Sequence, residues 1–148
     1  MNAFPDLLLK GISDQQYLDE EGGVAANLFY FELQRVYSER NDEFVEGSIC
    51  WKDNEEAVDL LMNQKKNGDI QFKYGAAVIN RYEIDRLRKI PQYRSKLNYE
   101  RNPLPENPYH GNLLLNRTTG KQVMRKLAGA IATTCQEIIP QPKLKDNK

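Results

Sequence analysis

The chain contains a single histidine, His110, within the stretch Asn-Pro-Tyr-His-Gly-Asn that begins at residue 107. An imidazole titrates near neutral pH, so it can act as a general acid, a general base or a metal ligand. Tyr109 and Glu106 are the local side chains that could assist it, and together these three residues are the candidate catalytic group of a hydrolase or nuclease. The alternative, which we favour, is that His110 shapes the loop that enters a strand at residues 111–115.

A second candidate group combines cations with aromatic residues between positions 81 and 101. Lysine and arginine neutralise phosphates, and tyrosine rings stack on bases, so this combination is typical of proteins that bind single-stranded nucleic acid. The same cations could equally bind an acidic protein surface. The candidate binding residues are Arg86, Arg88, Lys89, Tyr93, Arg94, Lys96, Tyr99 and Arg101.

The remaining residues do not match a metal-binding or phosphate-binding motif. Cys50 and Cys135 are far apart in sequence, and they cannot form a zinc site with a single histidine. The Gly22-Gly23 pair lacks the lysine and the spacing of a P-loop. We therefore expect no cofactor and no bound metal, and we expect two free thiols in a cytoplasmic protein.

Charge is distributed unevenly along the 148 residues, although the formal net charge is zero. Residues 1–64 carry four basic and fourteen acidic side chains, which gives a net charge of −10. Residues 65–148 carry seventeen basic and seven acidic side chains, which gives +10. If these charges stay exposed, they favour binding to a charged protein partner or self-association. If the two halves pack together, the charges neutralise one another instead.

The composition predicts a single globular domain without a membrane span. Hydrophobic residues make up 40% of the chain and charged residues 28%, which is ordinary for a folded domain. No apolar run approaches the roughly 18 residues that read as a transmembrane helix, and the first residues lack the basic stretch of a signal peptide. We predict one domain at residues 1–139 and a flexible polar tail at residues 140–148.

Hydrophobic periodicity and capping signals predict both strands and helices. The predicted strands are residues 7–12, 48–51, 70–79, 96–99 and 111–115, together with residues 24–36, where the aromatic residues favour a strand although Ala25 and Ala26 would also suit the start of a helix. Three helices begin at the capping boxes Asp53/Glu56, Asn80/Glu83 and Thr119/Gln122, and they end near Asn67-Gly68, before Pro91 and near Ile138. Strands and helices do not alternate strictly, so we predict an α+β fold with one mostly antiparallel sheet and about three helices on one face.

Three functions are compatible with these patterns. We favour a non-catalytic accessory subunit that binds another protein. Acidic and basic side chains are concentrated in different halves of the chain, and the prolines of loop 102–110 limit the conformations of the unbound loop, which lowers the entropy cost of binding. A hydrolase or nuclease would need His110 in a pocket beside a carboxylate or tyrosine. A nucleic-acid-binding module would need exposed arginines on the same face as Tyr93 or Tyr99.

Overall fold

A computed structural model of the chain describes residues 4–31 and 43–142. Two 3₁₀ turns, Gln15–Tyr17 and Ala26–Phe29, lie between the first two strands. The other elements, in chain order, are β1 (Leu7–Gly11), β2 (Phe44–Trp51), α1 (Glu55–Asn63), β3 (Lys65–Lys66), β4 (Asp69–Ile70), β5 (Ala76–Asn80), α2 (Arg81–Arg88), β6 (Leu97–Arg101), β7 (His110–Asn116), α3 (Lys121–Thr133) and β8 (Glu137–Ile139). None of the helices in these residues has the length and apolarity needed to cross a lipid bilayer.

Six of the strands form one sheet in the order β6-β7-β2-β1-β5-β8, and every neighbouring pair is antiparallel. This confirms the predicted α+β class. The strands β3 and β4 form a separate two-residue hairpin. Its turn residues, Asn67 and Gly68, both have positive φ (55° and 86°), which is the geometry of a type I′ turn.

Both faces of the central strands are covered, because successive residues of β1 enter different hydrophobic clusters. Leu8 packs with Trp51 and with the buried side chains of α2 and α3, whereas Leu9 packs with Cys50 and α1. Side chains alternate across a strand, so α2 and α3 share one face of the sheet and α1 covers the other. Strand β1 is therefore apolar on both sides over these two residues.

Most predicted strands are present, with shifted boundaries. The predictions at 7–12, 48–51, 96–99 and 111–115 correspond to β1, β2, β6 and β7, and the prediction at 70–79 is divided between β4 and β5. The prediction at 24–36 is wrong for its described part, because Ala26–Phe29 is a 3₁₀ turn packed against α3. Phe29 and Phe31 are both buried, 3% and 4% exposed. These apolar side chains therefore do enter the core, but a 3₁₀ turn and the residues after it place them there instead of a strand.

The start of α1 differs from the prediction by one residue. Asn54, rather than Asp53, caps the helix, and its side chain accepts a hydrogen bond from the backbone N–H of Ala57 at 3.1 Å. Asp53 is engaged by Arg101 instead. The helix ends at Asn63, before the Asn67-Gly68 turn of the hairpin.

The final helix is shorter than predicted at both ends. It is capped by Gly120 rather than Thr119, and it ends at Thr133. Thr133 and Thr134 direct their hydroxyls to the carbonyl oxygens three residues earlier, at 2.8 and 2.7 Å, a local hydrogen bond that competes with helix continuation. Ile138, predicted to lie on the helix, lies in β8 and pairs with β5.

The start of the predicted tail is part of the fold. Gln141 is 3% exposed, and its Nε2 donates to the carbonyl oxygens of Met62 and Phe72, each at 3.0 Å. Residues 143–148, which belong to the same prediction, lie outside the described residues. Ordered packing therefore extends at least to Gln141.

Gly111 in β7 leaves room for the indole of Trp51. Trp51 is fully buried, and its Nε1–H donates to the carbonyl oxygen of Glu100 at 3.0 Å. A Cβ at position 111 would lie 2.5 Å from that carbonyl oxygen and closer still to the indole. The contact between β2, β6 and β7 therefore requires a residue without a side chain.

We expect Gly111→Ala to destabilise the protein by about 1–3 kcal/mol, because a buried ring and a sheet backbone must both move. The matched control is Gly129→Ala in α3, where the nearest neighbour of the new Cβ is the Ala26 Cβ at 3.9 Å. The control should stabilise by about 0.5–1 kcal/mol, since alanine favours a helix interior. Urea denaturation followed by circular dichroism measures both changes. Equal effects of the two variants would contradict this packing.

Candidate functional site

The candidate site is a cleft that opens where β1 and β2 part. These strands pair at two positions, Leu8 with Trp51 and Leu9 with Cys50. Beyond them the strands separate and leave a cleft of about 370 Å³. Its walls also include the end of α1, the segment Ala26–Phe29 and the loop before β7. A cavity of this size with several polar groups has the general character of a small-molecule site.

Lys10 is the cation at the point of separation. Its Nζ donates to the carbonyl oxygen of Ser48 in β2 at 2.8 Å, so the side chain spans the gap that backbone pairing leaves. Among the described residues, no carboxylate forms an ion pair with it. Burial lowers the pKa of Lys10 to about 8, because removal of water disfavours the charged amine.

Lys10 is not among the candidate residues predicted from the sequence. The only local signal is a lysine that interrupts the apolar run Leu7–Ile12. A lysine near the end of a strand normally projects into water, and its acceptor here is 38 residues away in sequence. The desolvation of Lys10 depends on the separation of β1 from β2, which cannot be inferred from the local sequence.

His110 begins β7 and lines the same cleft. Its Nδ1 lies 2.9 Å from the carbonyl oxygen of Asn102, and a carbonyl can only accept, so Nδ1 carries the hydrogen. In the neutral ring Nε2 is then the acceptor. Nε2 has no hydrogen-bond partner in the described part of the chain. The bond to Asn102 also fits the predicted role of His110 in shaping the loop.

The two predicted partners of His110 lie in different places. Glu106 is exposed and lines the cleft with His110. Tyr109 lies outside the cleft, and its hydroxyl is 3.3 Å from both the Glu56 carboxylate and the Asn54 amide nitrogen. Tyr109 and His110 thus face opposite sides of the loop, so the Tyr109 hydroxyl does not lie beside His110 in the cleft. This geometry does not support Tyr109 as a catalytic partner of His110.

Asn107 fixes the loop that carries Glu106 and His110. It is 3% exposed, and its Oδ1 accepts the backbone N–H of Tyr109 at 2.9 Å. Its Nδ2 lies 3.5 Å from the Sγ of Cys50, and burial raises the pKa of that thiol. The loop is thus anchored on β2, and it holds two titratable side chains at the cleft.

The aromatic residues of the 81–101 cluster serve the fold. Tyr93 is 4% exposed and belongs to the core. Tyr99 packs edge-on against Trp51, with ring centroids 5.5 Å apart, and its hydroxyl donates to Asp85 at 2.7 Å. Tyr93 is therefore too buried to stack on a base, and the Arg88 guanidinium lies over the Tyr99 ring, 5.0 Å from its centroid. That Tyr93 and Tyr99 are binding residues stays a prediction.

Several arginines of the cluster are engaged in ion pairs. The pairs are Arg81 and Arg88 with Asp85, Arg86 with Glu83, Arg101 with Asp53, and Arg81 with Asp6. The Arg101 guanidinium binds both carboxylate oxygens of Asp53, at 2.7 and 2.9 Å. Two of these pairs join the acidic first half of the chain to the basic second half, so part of the charge imbalance is neutralised inside the fold.

Three cations of the cluster remain available. Lys89, Arg94 and Lys96 form no ion pair with any described residue. Lys89 and Arg94 line an open depression of about 520 Å³ beside β6, together with Arg88. We call Lys89, Arg94 and Lys96 the cationic surface.

Acidic side chains gather at the opposite edge of the sheet. Asp19, Glu21 and Glu137 line a shallow groove beside β8. Strands β6 and β8 are the two edges of the six-stranded sheet, so five inter-strand spacings separate the two regions. We call these three acids the acidic rim.

Comparisons with known proteins identify no relative of this chain. No protein family model, no curated protein and no solved structure matches the chain. Within residues 4–31 and 43–142, no three His, Cys, Asp or Glu side chains come together in a way that could hold a metal ion. Function is therefore inferred from the geometry of this chain alone.

The desolvation of Lys10 predicts a specific pH dependence of stability. The folded pKa of about 8 lies below the ordinary lysine value of 10.5, so between these pH values the unfolded chain binds more protons than the folded one. The free energy of unfolding therefore rises with pH in this interval. We expect the wild type to gain stability relative to Lys10→Met as the pH rises from about 8 to about 10.5.

Urea denaturation at several pH values measures this difference. The control is Lys73→Met, because Lys73 is exposed, and its difference from the wild type should stay constant with pH. A constant difference for Lys10→Met as well would contradict the desolvation of Lys10.

Proposed function

We propose that the protein is a non-catalytic accessory subunit that binds an acidic surface of another protein through its cationic surface. The supporting observation is the position of the unpaired charge. Lys89, Arg94 and Lys96, which have no acidic partner within the described part of the chain, lie beside β6, and the acidic rim lies beside β8 at the other edge of the sheet. Charges separated in this way steer a partner of opposite charge and fix its orientation.

The cationic surface is held in place by the core. Tyr93 is buried, and its backbone carbonyl accepts the N–H of Lys96 at 3.0 Å. Ser95, between Arg94 and Lys96, has a positive φ of 66°. The Arg94 guanidinium also donates to the Lys89 carbonyl at 3.3 Å. Since this turn is ordered before a partner arrives, less conformational entropy is lost on binding.

The engaged arginines support a protein partner over a nucleic acid. Arg81, Arg88 and Tyr99 converge on Asp85, so they brace α2 against β6. With these residues occupied and Tyr93 buried, the surface offers charge without a stacking platform. Binding to a protein carboxylate needs charged N–H donors and no stacking platform.

A hydrolase or nuclease that uses His110 is a second candidate. It is favoured by one observation: His110 and Glu106 line the same cleft, and Nε2 has no partner among the described residues. If this candidate is correct, hydrolysis of p-nitrophenyl acetate or bis-p-nitrophenyl phosphate should fall roughly a hundredfold in His110→Asn. Absence of hydrolysis by the wild type would count against it.

The main proposal predicts salt-dependent binding to an acidic peptide. Fluorescence anisotropy of a labelled glutamate-rich peptide should give a Kd that rises several-fold between about 50 and about 300 mM NaCl. The variant Lys89→Glu/Arg94→Glu should bind roughly tenfold more weakly, since two favourable contacts become repulsive. The control, Lys65→Glu/Lys66→Glu, makes the same change of net charge on the β3–β4 hairpin and should bind like the wild type.

Two outcomes would overturn the proposal. One is equal binding by the two double variants, which would show that net charge alone controls association. The other is tighter binding of a labelled oligothymidine carrying the same number of charges, which would favour the nucleic-acid module. Sedimentation velocity at low and high salt tests whether a second copy of the chain is the acidic partner, with its acidic rim against the cationic surface.

A further inference from the structure

We propose that the cleft between β1 and β2 binds a small organic carboxylate with an apolar body, and that Lys10 supplies the counter-charge. This site is separate from the cationic surface, which lies beside the β6 edge. It therefore does not depend on the function proposed above.

The first argument is the incomplete coordination of Lys10. An ammonium group has three N–H donors, and the described residues accept one of them, at the Ser48 carbonyl oxygen. That acceptor is neutral, so none of the described residues supplies a counter-ion for the positive charge. A desolvated cation without a counter-ion is costly. A carboxylate in the cleft would accept the remaining N–H groups and compensate the charge.

The second argument is the composition of the walls. Leu9, Leu61 and Phe72 line the cleft together with Leu28 and Leu104. These side chains can cover the apolar part of a ligand while its charged end reaches Lys10. The volume of about 370 Å³ falls in the range of small-molecule sites, and polar side chains such as Ser13, Asn27 and Gln71 line the cleft beside these apolar ones.

Besides Lys10, other titratable side chains line the cleft and would lie near a bound carboxylate. They are Glu106 and His110 from the loop and β7, Tyr17 from the first 3₁₀ turn, and Tyr30 after the second. Glu106 is the acid among the lining residues, and it is exposed, so its repulsion of a bound carboxylate is screened by water. Glu106→Gln should therefore strengthen carboxylate binding modestly, by roughly twofold.

The first experiment compares charged probes with a neutral isostere. Isothermal titration calorimetry at pH 7 uses benzoate, phenylacetate and hexanoate, with benzamide as the uncharged match for benzoate. We expect at least one carboxylate to bind, and we expect benzamide to bind at least roughly tenfold more weakly than benzoate if benzoate is that ligand. Failure of all three carboxylates to bind, or equal binding of benzoate and benzamide, would overturn the proposal.

The second experiment locates the charge. Lys10→Met should weaken carboxylate binding at least roughly tenfold, Lys10→Arg should retain part of it, and the surface control Lys73→Met should bind like the wild type. Lys89→Glu/Arg94→Glu should also bind like the wild type, which separates this site from the cationic surface. Equal affinity of Lys10→Met and the wild type would overturn the proposal.

The third experiment uses pH and covers the case in which Lys10→Met does not fold. Wild-type affinity for the carboxylate should fall as the pH rises through about 8, where free Lys10 loses its proton. NMR of ¹³C-labelled lysine should show that saturating ligand raises the pKa of Lys10, since the bound anion favours the charged amine. An affinity that is constant from pH 7 to pH 9.5, or an unchanged Lys10 pKa, would overturn the proposal.

Discussion

The short pairing between β1 and β2 is the constraint on which the rest of the structure depends. β1 follows β5 along all five of its residues, and β2 follows β7 along seven, but β1 and β2 share two pairs. The sheet is thus two well-paired halves joined at Leu8–Trp51 and Leu9–Cys50. Continued pairing would have used the Ser48 carbonyl in the backbone ladder. Because pairing stops, that carbonyl accepts from Lys10, and a partly buried lysine lines the cleft between the two strands.

Electrostatic interactions position several elements of the fold and leave part of its surface charged. Asp85 receives Arg81, Arg88 and Tyr99, which fixes α2 to the edge strand β6. The pair between Asp53 and Arg101 joins the start of α1 to the end of β6. These side chains are partly buried, and ion pairs that keep contact with water contribute about 0–1 kcal/mol each, so their main effect is on the position of the elements. They decide which cations face other elements and which face solvent.

The sequence predicts interactions that depend on local spacing better than those that depend on the fold. The Asn80 cap of α2, which depends only on local spacing, is confirmed. The contact between Asp53 and Arg101 spans 48 residues, so it needed the sheet order. At residues 26–29 and 137–139 the apolar spacing was compatible with both helix and strand, and packing against α3 and β5 decided the outcome. The desolvated lysine was missed for the same reason, since its environment is assembled from distant segments.

The strand order has a consequence for how the domain forms during synthesis. β1, β2 and β5 lie within the first 80 residues, so this central part of the sheet can assemble while the nascent chain is still emerging from the ribosome. The flanking strands arrive later: β7 ends at Asn116, and β8 ends at Ile139. Until then β2 and β5 expose unpaired edges, which readily join the edges of other chains. The last strands to be translated therefore protect the first from misassembly.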